Sequence, residues 1–319
     1  MSRYPELGAP FSAIHQNLEE LDSRQNRLLE CRLAHLEEWA KVAVRVGGEE
    51  RDILLRLLDS LRPEREFSPD PHVPPENRDA LCQFYRQFSA AERLCVLRTV
   101  LEQCGMDIFT DSEGADTSEL SEHAADKIAY VQNTFSDTAY LQFSNTLRHP
   151  RAAYFDSFSG VCEEVYNGIC EYCILPILHQ RDGKLFRFYA LLEKYELRIV
   201  CTCDIPWTEK NGVTTTRYAL IRKHLPPLPS PEAAAEMSHL ELLLPADDAV
   251  SLCELLQVAE LCRLSPERVD TRTDEDSPGV LTHQITLRLH DADLCTFLAY
   301  LTLDVPRCTV LGLYCVLET

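Results

Sequence analysis

The sequence predicts a multidomain chain of mixed α+β and α/β class: an N-terminal helical region, one small α/β lobe and a C-terminal ferredoxin-like unit. Three observations predict it. Residues 10–62 carry no proline after Pro10 until Pro63 and repeat apolar residues at three- and four-residue steps. From Lys127 to Arg222, short β-rich runs alternate with amphipathic stretches. From Leu240 to Leu317 the order reads strand, helix, strand, strand, helix, strand.

In the first region, Ile14, Leu18, Leu21, Leu28, Leu29, Leu36 and Trp39 mark one long helix, and Gly47-Gly48 breaks it. Glu50–Leu61 reads as a second helix. Pro63, Pro69, Pro71, Pro74 and Pro75 make an extended connection, a proline-rich break over 62–75. Glu76–Gln103 gives one or two further helices, closing a helical domain at 1–109. A polar linker follows over 110–125.

The lobe over 126–224 starts with strand Lys127–Val131 and helix Ser136–Thr146. Strand Arg151–Phe155, helix Ser157–Asn167 and strand Tyr172–Ile177 come next, then helix Leu185–Lys194. Leu197–Ile205 and Val213–Arg222 are β-rich segments around the turn Glu209-Lys210-Asn211-Gly212. Prolines between Pro226 and Pro231 mark a linker over 225–237. The last unit, 238–319, has strands at Leu240–Leu244, Glu267–Thr273, Leu281–Leu289 and Arg307–Leu317. Its helices are Ala249–Leu261 and Asp293–Leu301.

The 319 residues hold 51 acids against 31 bases, a net charge of −20. Such a field repels nucleic acid and anionic membrane, so neither is an expected partner. It also works against capture of a dicarboxylate, whose site would need a local basic cluster. Arg24, Arg27 and Arg32 alternate with acids, which suits a solvated helix. The N-terminus lacks a basic-plus-apolar leader, and no apolar run has the roughly 18–20 residues of a membrane span. The chain reads as cytoplasmic, with its 14 cysteines reduced. Cys170-x-x-Cys173 with Cys201-x-Cys203 can be drawn as a four-thiolate zinc site, but neither pair has a knuckle context. The expectation is no metal and no cofactor.

Val213-Thr214-Thr215-Thr216-Arg217-Tyr218 and the earlier Thr134-Phe135-Ser136 resemble the closing and opening signatures of the prephenate dehydratase catalytic domain. With the helical block before and the βαββαβ block after, the chain resembles the bifunctional chorismate mutase–prephenate dehydratases with a C-terminal ACT domain. The resemblance implies a chorismate-mutase-like region, a periplasmic-binding-protein-like lobe and an ACT-like domain. The family places a second lobe between the segments that here are Val200 and Thr214, and only thirteen residues separate them. The lobe is therefore truncated.

In the helical block, Arg32 and Glu50 match mutase active-site positions, which clamp carboxylates and support a pericyclic rearrangement. The family's N-terminal arginine falls on His15 and the lysine that reaches the ether oxygen on Ala43. One lost donor of that kind costs roughly 3 kcal/mol of barrier. A solvated helix face is the bland reading of Arg32 and Glu50.

In the lobe, the resemblance makes Thr216 the catalytic threonine, with Arg217 after it and Thr134 opening the site. The family's glycine-rich turn is shortened to Gln132-Asn133, and its Glu-Asn-Ser reads Leu178-His179-Gln180, making His179 and Gln180 candidate ligand residues. A threonine hydroxyl needs a partner and a water-excluding cleft to act as an acid. The alternative for Thr214–Thr216 is simply a β-branched strand.

In the last block, Val269-Asp270-Thr271-Arg272-Thr273 stands where the dehydratases carry Glu-Ser-Arg-Pro, so Asp270 and Arg272 are candidate ligand residues. Ser265 falls on the family's asparagine. The helix-opening glycine falls on Val250, whose side chain would crowd an amino-acid ligand.

The resulting expectation is a divergent, non-catalytic or regulatory paralogue (a pseudoenzyme) of aromatic amino-acid metabolism. Its partner would be a small aromatic or dicarboxylate ligand: prephenate, chorismate or phenylalanine. The alternatives are an active dehydratase, with or without mutase activity, on a rebuilt site, and a structural oligomerisation module. A homodimer or higher even oligomer is expected from the helix and ACT resemblance.

Overall fold

The computed structural model describes residues 8–46, 88–104, 126–209, 212–225, 236–246, 250–273, 281–305 and 307–317. Helix α1 (Gly8–Val46) spans 39 residues without a proline after Pro10. The expected helix at Glu50–Leu61, the proline-rich break over 62–75 and the polar linker over 110–125 lie outside the described residues, as do 226–235 of the second linker. Helix α2 (Ala90–Cys104) begins with a capping box. The Ser89 N–H and hydroxyl both donate to Glu92 Oε2, at 2.8 and 2.9 Å. Helix α2 buries Leu94, Leu97 and Leu101 at three- and four-residue spacing, and it packs on α1. Leu21, Leu28 and Trp39 of α1 stay exposed. These two helices belong to one compact unit, and residues 126–317 belong to a second.

The second unit opens with β1 (Lys127–Val131), α3 (Thr134–Ser144), β2 (Arg151–Phe155), α4 (Phe158–Tyr166) and β3 (Tyr172–His179). Strands β2 and β3 both pair parallel to β1. The chain therefore winds one way from β1 to β2 and back across to β3. Alternation sorts the side chains by face. Ile128 and Tyr130 join Ala139 and Phe143 of α3 in one cluster. Ala129, Cys173 and Leu175 join Val161 and Val165 of α4 in another, on the opposite face. Asn133 and Ser157 cap the two helices with their side-chain oxygens.

A short strand β4 (Gly183–Lys184) turns back on β3, and α5 (Phe186–Lys194) follows. Strands β5 (Arg198–Glu209) and β6 (Gly212–Arg222) form an antiparallel hairpin paired along its length, from Arg198 with Arg222 to Glu209 with Gly212. The chain returns at once, leaving no room for an inserted lobe between these strands.

The remaining elements are β7 (His239–Pro245), α6 (Leu252–Leu261), β8 (Leu264–Thr273), β9 (Leu281–Leu289), α7 (Leu294–Asp304) and β10 (Thr309–Leu317). Their strands run β10-β7-β9-β8, all antiparallel, the ferredoxin-like arrangement the element order predicts. Ser251 and Asp293 cap α6 and α7.

Pattern reading divides residues 126–319 into two parts, yet the strands form one ten-stranded sheet, ordered β2-β1-β3-β6-β5-β10-β7-β9-β8 with β4 beside β3. The seam is the parallel pairing of β10 with β5. A one-strand join of this kind leaves no local sequence signal, because it depends on two segments more than 100 positions apart. Gly312 permits it: a Cβ there would lie 2.7 Å from Ile199 Cβ and 2.9 Å from Ile199 O.

A buried polar network holds the two parts together on one face. Lys184 Nζ donates to Glu241 Oε1 at 2.5 Å and to Thr286 Oγ1 at 2.8 Å. Gln284 Nε2 donates to the same Glu241 oxygen at 2.7 Å, and the Tyr314 hydroxyl donates to Glu241 Oε2 at 3.2 Å. The Lys184 and Glu241 side chains are 4% and 1% exposed. Arg268 grips Asp270 through two bonds of 2.7 and 3.0 Å and lies over Gly183, where a Cβ would meet Arg268 Nη2 at 2.9 Å. Arg272 binds Glu193 of α5 and sits over the Phe186 ring.

Removing one member of a buried ion pair leaves the other charge uncompensated, a loss of about 3–5 kcal/mol. Lys184→Met is expected to lower unfolding stability by about that amount in a denaturant titration. Lys184→Met with Glu241→Gln keeps an acceptor for Gln284 and Tyr314 without the charge, and should recover most of the loss. A neutral single substitution would contradict the burial described.

Candidate functional site

Strand order 2-1-3 places a switch point between β1 and β3, where the connections leave in opposite directions. Open α/β sheets leave a crevice at the carboxyl ends of such strands. Those ends here carry Gln132-Asn133-Thr134 and His179-Gln180. The α3 face of β5 and β6 completes the corner, because Cys203, Ile205 and Trp207 alternate onto it opposite Tyr218, Thr216 and Thr214.

Thr216 is the register partner of His179. The His179 ring lies 6.2 Å from the Trp207 ring, and Trp207 meets Phe135 edge-on at 5.4 Å. His179 Nδ1 lies 2.9 Å from Asp182 Oδ2. Thr214 is 1% exposed and its Oγ1 has no hydrogen-bond partner among the described residues. The corner therefore combines three aromatic or imidazole rings with two hydroxyls.

Arg217 points to the other face, as alternation demands. Its Nε and Nη2 donate to the two Asp204 oxygens at 2.8 and 2.9 Å. The Asp204 carboxylate holds the guanidinium above its ordinary value against the opposing effect of burial. A bidentate pair of this geometry leaves little of the charge for a second carboxylate. Thr134 is exposed at the first position of α3, with its carbonyl accepting from the Thr138 hydroxyl. The helix's free amides are largely taken: Asn133 Oδ1 accepts from Phe135 N and Ser136 N, both at 3.0 Å. An N-terminus capped in this way is a weaker anion site than a bare one.

The other candidates disperse. Gln180 is exposed, and its N–H donates to Thr215 O. Ser265 is exposed on β8 opposite Arg288. Asp270 pairs with Arg268 and lies 3.8 Å from Lys184 Nζ, and Arg272 serves the contacts with Glu193 and Phe186 already described. Val250 is buried. In the first unit, Arg32 Nη2 lies 2.6 Å from Glu92 Oε1, while Glu50 lies outside the described residues. Cys170 and Cys173 sit in the α4-side core and Cys201 and Cys203 in the α3-side core, so the four thiols do not converge. Among the described residues no group of three or more His, Cys, Asp or Glu side chains is placed to hold a metal. Among them, too, no helix is long and apolar enough to cross a membrane.

Sequence reading passed over Trp207, Asp204 and the Asn133 cap. The alternation of 203, 205 and 207 against 214, 216 and 218 was the available signal for Trp207. It also missed a hydrogen-bonded row on the opposite face. Ser238 Oγ lies 2.7 Å from His239 Nδ1, and His239 Nε2 lies 2.8 Å from Glu267 Oε2. The order is that of a hydrolase relay. The Ser238 N–H, however, is committed to Tyr314 O at 3.1 Å, and Ser238 O accepts from Leu289 N. The Ser238 amide is thus not a free donor beside the hydroxyl of the kind acyl transfer uses.

No protein-family model matches the chain, and no curated protein matches it. Among solved structures it is similar to a prephenate dehydratase from Streptococcus mutans, at 18% identity and a TM-score of 0.47 over 60% of this chain and 99% of that one. It is similar to prephenate dehydratase from Arthrobacter aurescens in complex with L-Phe, at 13% identity and a TM-score of 0.44 over 59% and 90%. It is also similar to GqqA, a quorum quenching acylase, at 19% identity and a TM-score of 0.44 over 60% and 95%.

Burial pushes His239 below its ordinary value despite the attraction of Glu267, and Arg217 and Arg288 push the same way. Its ring also stacks on Tyr314 at 5.4 Å. The folded ring is therefore neutral where the unfolded ring begins to take a proton, below about pH 6.5. The unfolded state binds more protons there, so stability falls as pH falls through that value. Denaturation midpoints between about pH 7.5 and 5.5 should drop in the natural chain and flatten in His239→Gln. A rising midpoint on acidification would reverse the assignment.

Proposed function

We propose that this chain is a divergent prephenate-dehydratase-like protein of aromatic amino-acid metabolism that binds a small aromatic ligand without turning it over. The motif resemblance supports the lineage. The observation that carries the non-catalytic reading is the separation of Thr216 from Arg217. The hydroxyl faces His179 and Trp207, whereas the arginine faces the opposite side in a closed pair with Asp204. Among the described residues, the side chains placed around Thr216 are His179, Trp207 and Phe135, with no fixed cation for a dicarboxylate, and the β5–β6 hairpin is paired along its described length. Loss of water exclusion and of charge stabilisation together removes most of what such an elimination needs.

One observation favours an active dehydratase instead. Thr216 lies opposite His179, so an imidazole stands where a hydroxyl acid would need a partner. The mutase reading has less support, because Arg32 already pairs with Glu92. For the third reading, a homodimer is proposed through α1, whose Leu21, Leu28 and Trp39 are exposed in the single chain.

Thermal shift of the full chain with prephenate, chorismate, phenylalanine and tyrosine tests these readings, with phenylpyruvate followed by ultraviolet absorbance. The expected result is a raised midpoint with at least one aromatic ligand, worth about 2.7 kcal/mol at a hundredfold excess over Kd. No phenylpyruvate should form above background. Trp207→Ala should abolish the shift and Arg32→Ala should leave it intact. Phenylpyruvate formation lost in Thr216→Ala would establish the dehydratase reading. No shift with any of the four would leave the structural reading, and the solution mass of Leu21→Glu/Leu28→Glu against the natural chain checks its dimer.

A further inference from the structure

The β5–β10 seam brings two thiols together. Cys201 and Cys315 are register partners in the parallel pairing, and their sulfurs lie 3.6 Å apart. Neighbouring strands are spaced at about 4.8 Å, inside the roughly 4.4–6.8 Å range of Cα separations that a disulfide spans. Strand β10 builds the approach. Its register shifts between Gly312 and Cys315, at the point where Gly312 presses on Ile199 too closely for any side chain. The irregularity then sets Cys315 against Cys201 rather than beside it.

The two thiols differ. Cys201 is buried in the α3-side core, and Cys315 is half-buried at its margin. The contact with Cys201 holds the Cys315 thiol down to about 7, against the opposing effect of burial. The same contact, with burial, holds Cys201 up. The more exposed Cys315 is the sulfur a reagent reaches first, and Cys201 lies behind it in contact, the arrangement of an attacking and a resolving thiol.

We infer that Cys201 and Cys315 form an oxidation site that takes a hydroperoxide and closes to a disulfide across the seam. The Cys315 thiolate attacks the peroxide: an S–O bond forms, the O–O bond breaks, and the departing oxygen leaves as an alcohol or water once protonated. Cys201 then loses its proton and attacks the oxidised sulfur. The S–S bond forms, the S–O bond breaks, and hydroxide leaves with that proton as water. Two thiols are oxidised by two electrons and one peroxide is reduced. The product would tie β5 to β10 where the two parts of the sheet meet.

The full reduced chain is treated with hydrogen peroxide, quenched with an alkylating reagent and mapped by mass spectrometry. The expected product has lost two hydrogens and yields a linked Cys201–Cys315 peptide. In Cys201→Ser, Cys315 should stop at the sulfenic acid and be trapped by dimedone. In Cys315→Ser the linked peptide should disappear. Exposed Cys31 and Cys253 serve as internal references in every sample. Oxidation of Cys31 or Cys253 while Cys201 and Cys315 remain alkylated as free thiols would overturn the inference, as would a disulfide joining any other pair. Because this readout on the natural chain needs no variant, misfolding of either substitution does not protect the inference.

Discussion

The buried pair of Lys184 and Glu241 is the constraint on which the second unit rests. A carboxylate and an ammonium can be held out of water only if their other hydrogen-bonding positions are filled. Here Thr286, Gln284 and Tyr314 fill them. These partners come from β4, β7, β9 and β10, which fixes the positions of those four strands together. The cost of desolvation makes the arrangement specific, since a shift of one residue in any of these strands would turn its polar member to the other face. The apolar core follows the same lines, with Phe188, Tyr189 and Leu192 of α5 sharing a cluster with Leu311 and Tyr314 of β10.

This constraint also shapes the candidate site. Because β5 is hydrogen-bonded to β10 on one side and β6 on the other, it is an interior strand of a long sheet rather than the hinge of a two-walled cleft. In the corner formed by Phe135, His179, Trp207 and Thr216, Phe135 is exposed and the other three are partly exposed. Asp204, one position from Cys203 and three from Trp207, pairs with Arg217 on the face of the sheet away from this corner. Affinity in such a corner has to come from ring contacts, which contribute roughly 0.5–1.5 kcal/mol each beyond area burial.

Much of the fold was legible because it is written in local pattern. Leu240, Leu242 and Leu244 alternate with His239, Glu241 and Leu243, and a strand follows from that alone, although the polar positions His239 and Glu241 are buried as well. Asn133, Ser157, Ser251 and Asp293 each precede a helix they cap. The candidate site was legible only in part. Thr216 and His179 could be named from resemblance, but their facing each other depends on the irregular step between Pro176 and Leu178 in β3. That step shifts register by one position, and Pro176 at its start is the one local sign of it. Arg217, named as a catalytic candidate, faces away from Thr216 by strand alternation, and its pairing with Asp204, 13 positions distant, depends on the β5–β6 register. The seam and the Lys184–Glu241 network were invisible for the same reason: each joins segments 57 to 114 positions apart.

Native-state hydrogen exchange of the full chain under rising denaturant tests most directly whether the two parts of the sheet are one cooperative structure. Amides of β1, β3 and β6 and those of β7 and β9 should open with one common free energy, approached together as denaturant increases. Opening of β7–β10 at a distinctly lower free energy, with β1–β6 still protected, would show that the pair at Lys184 and Glu241 does not bind the sheet into a single unit.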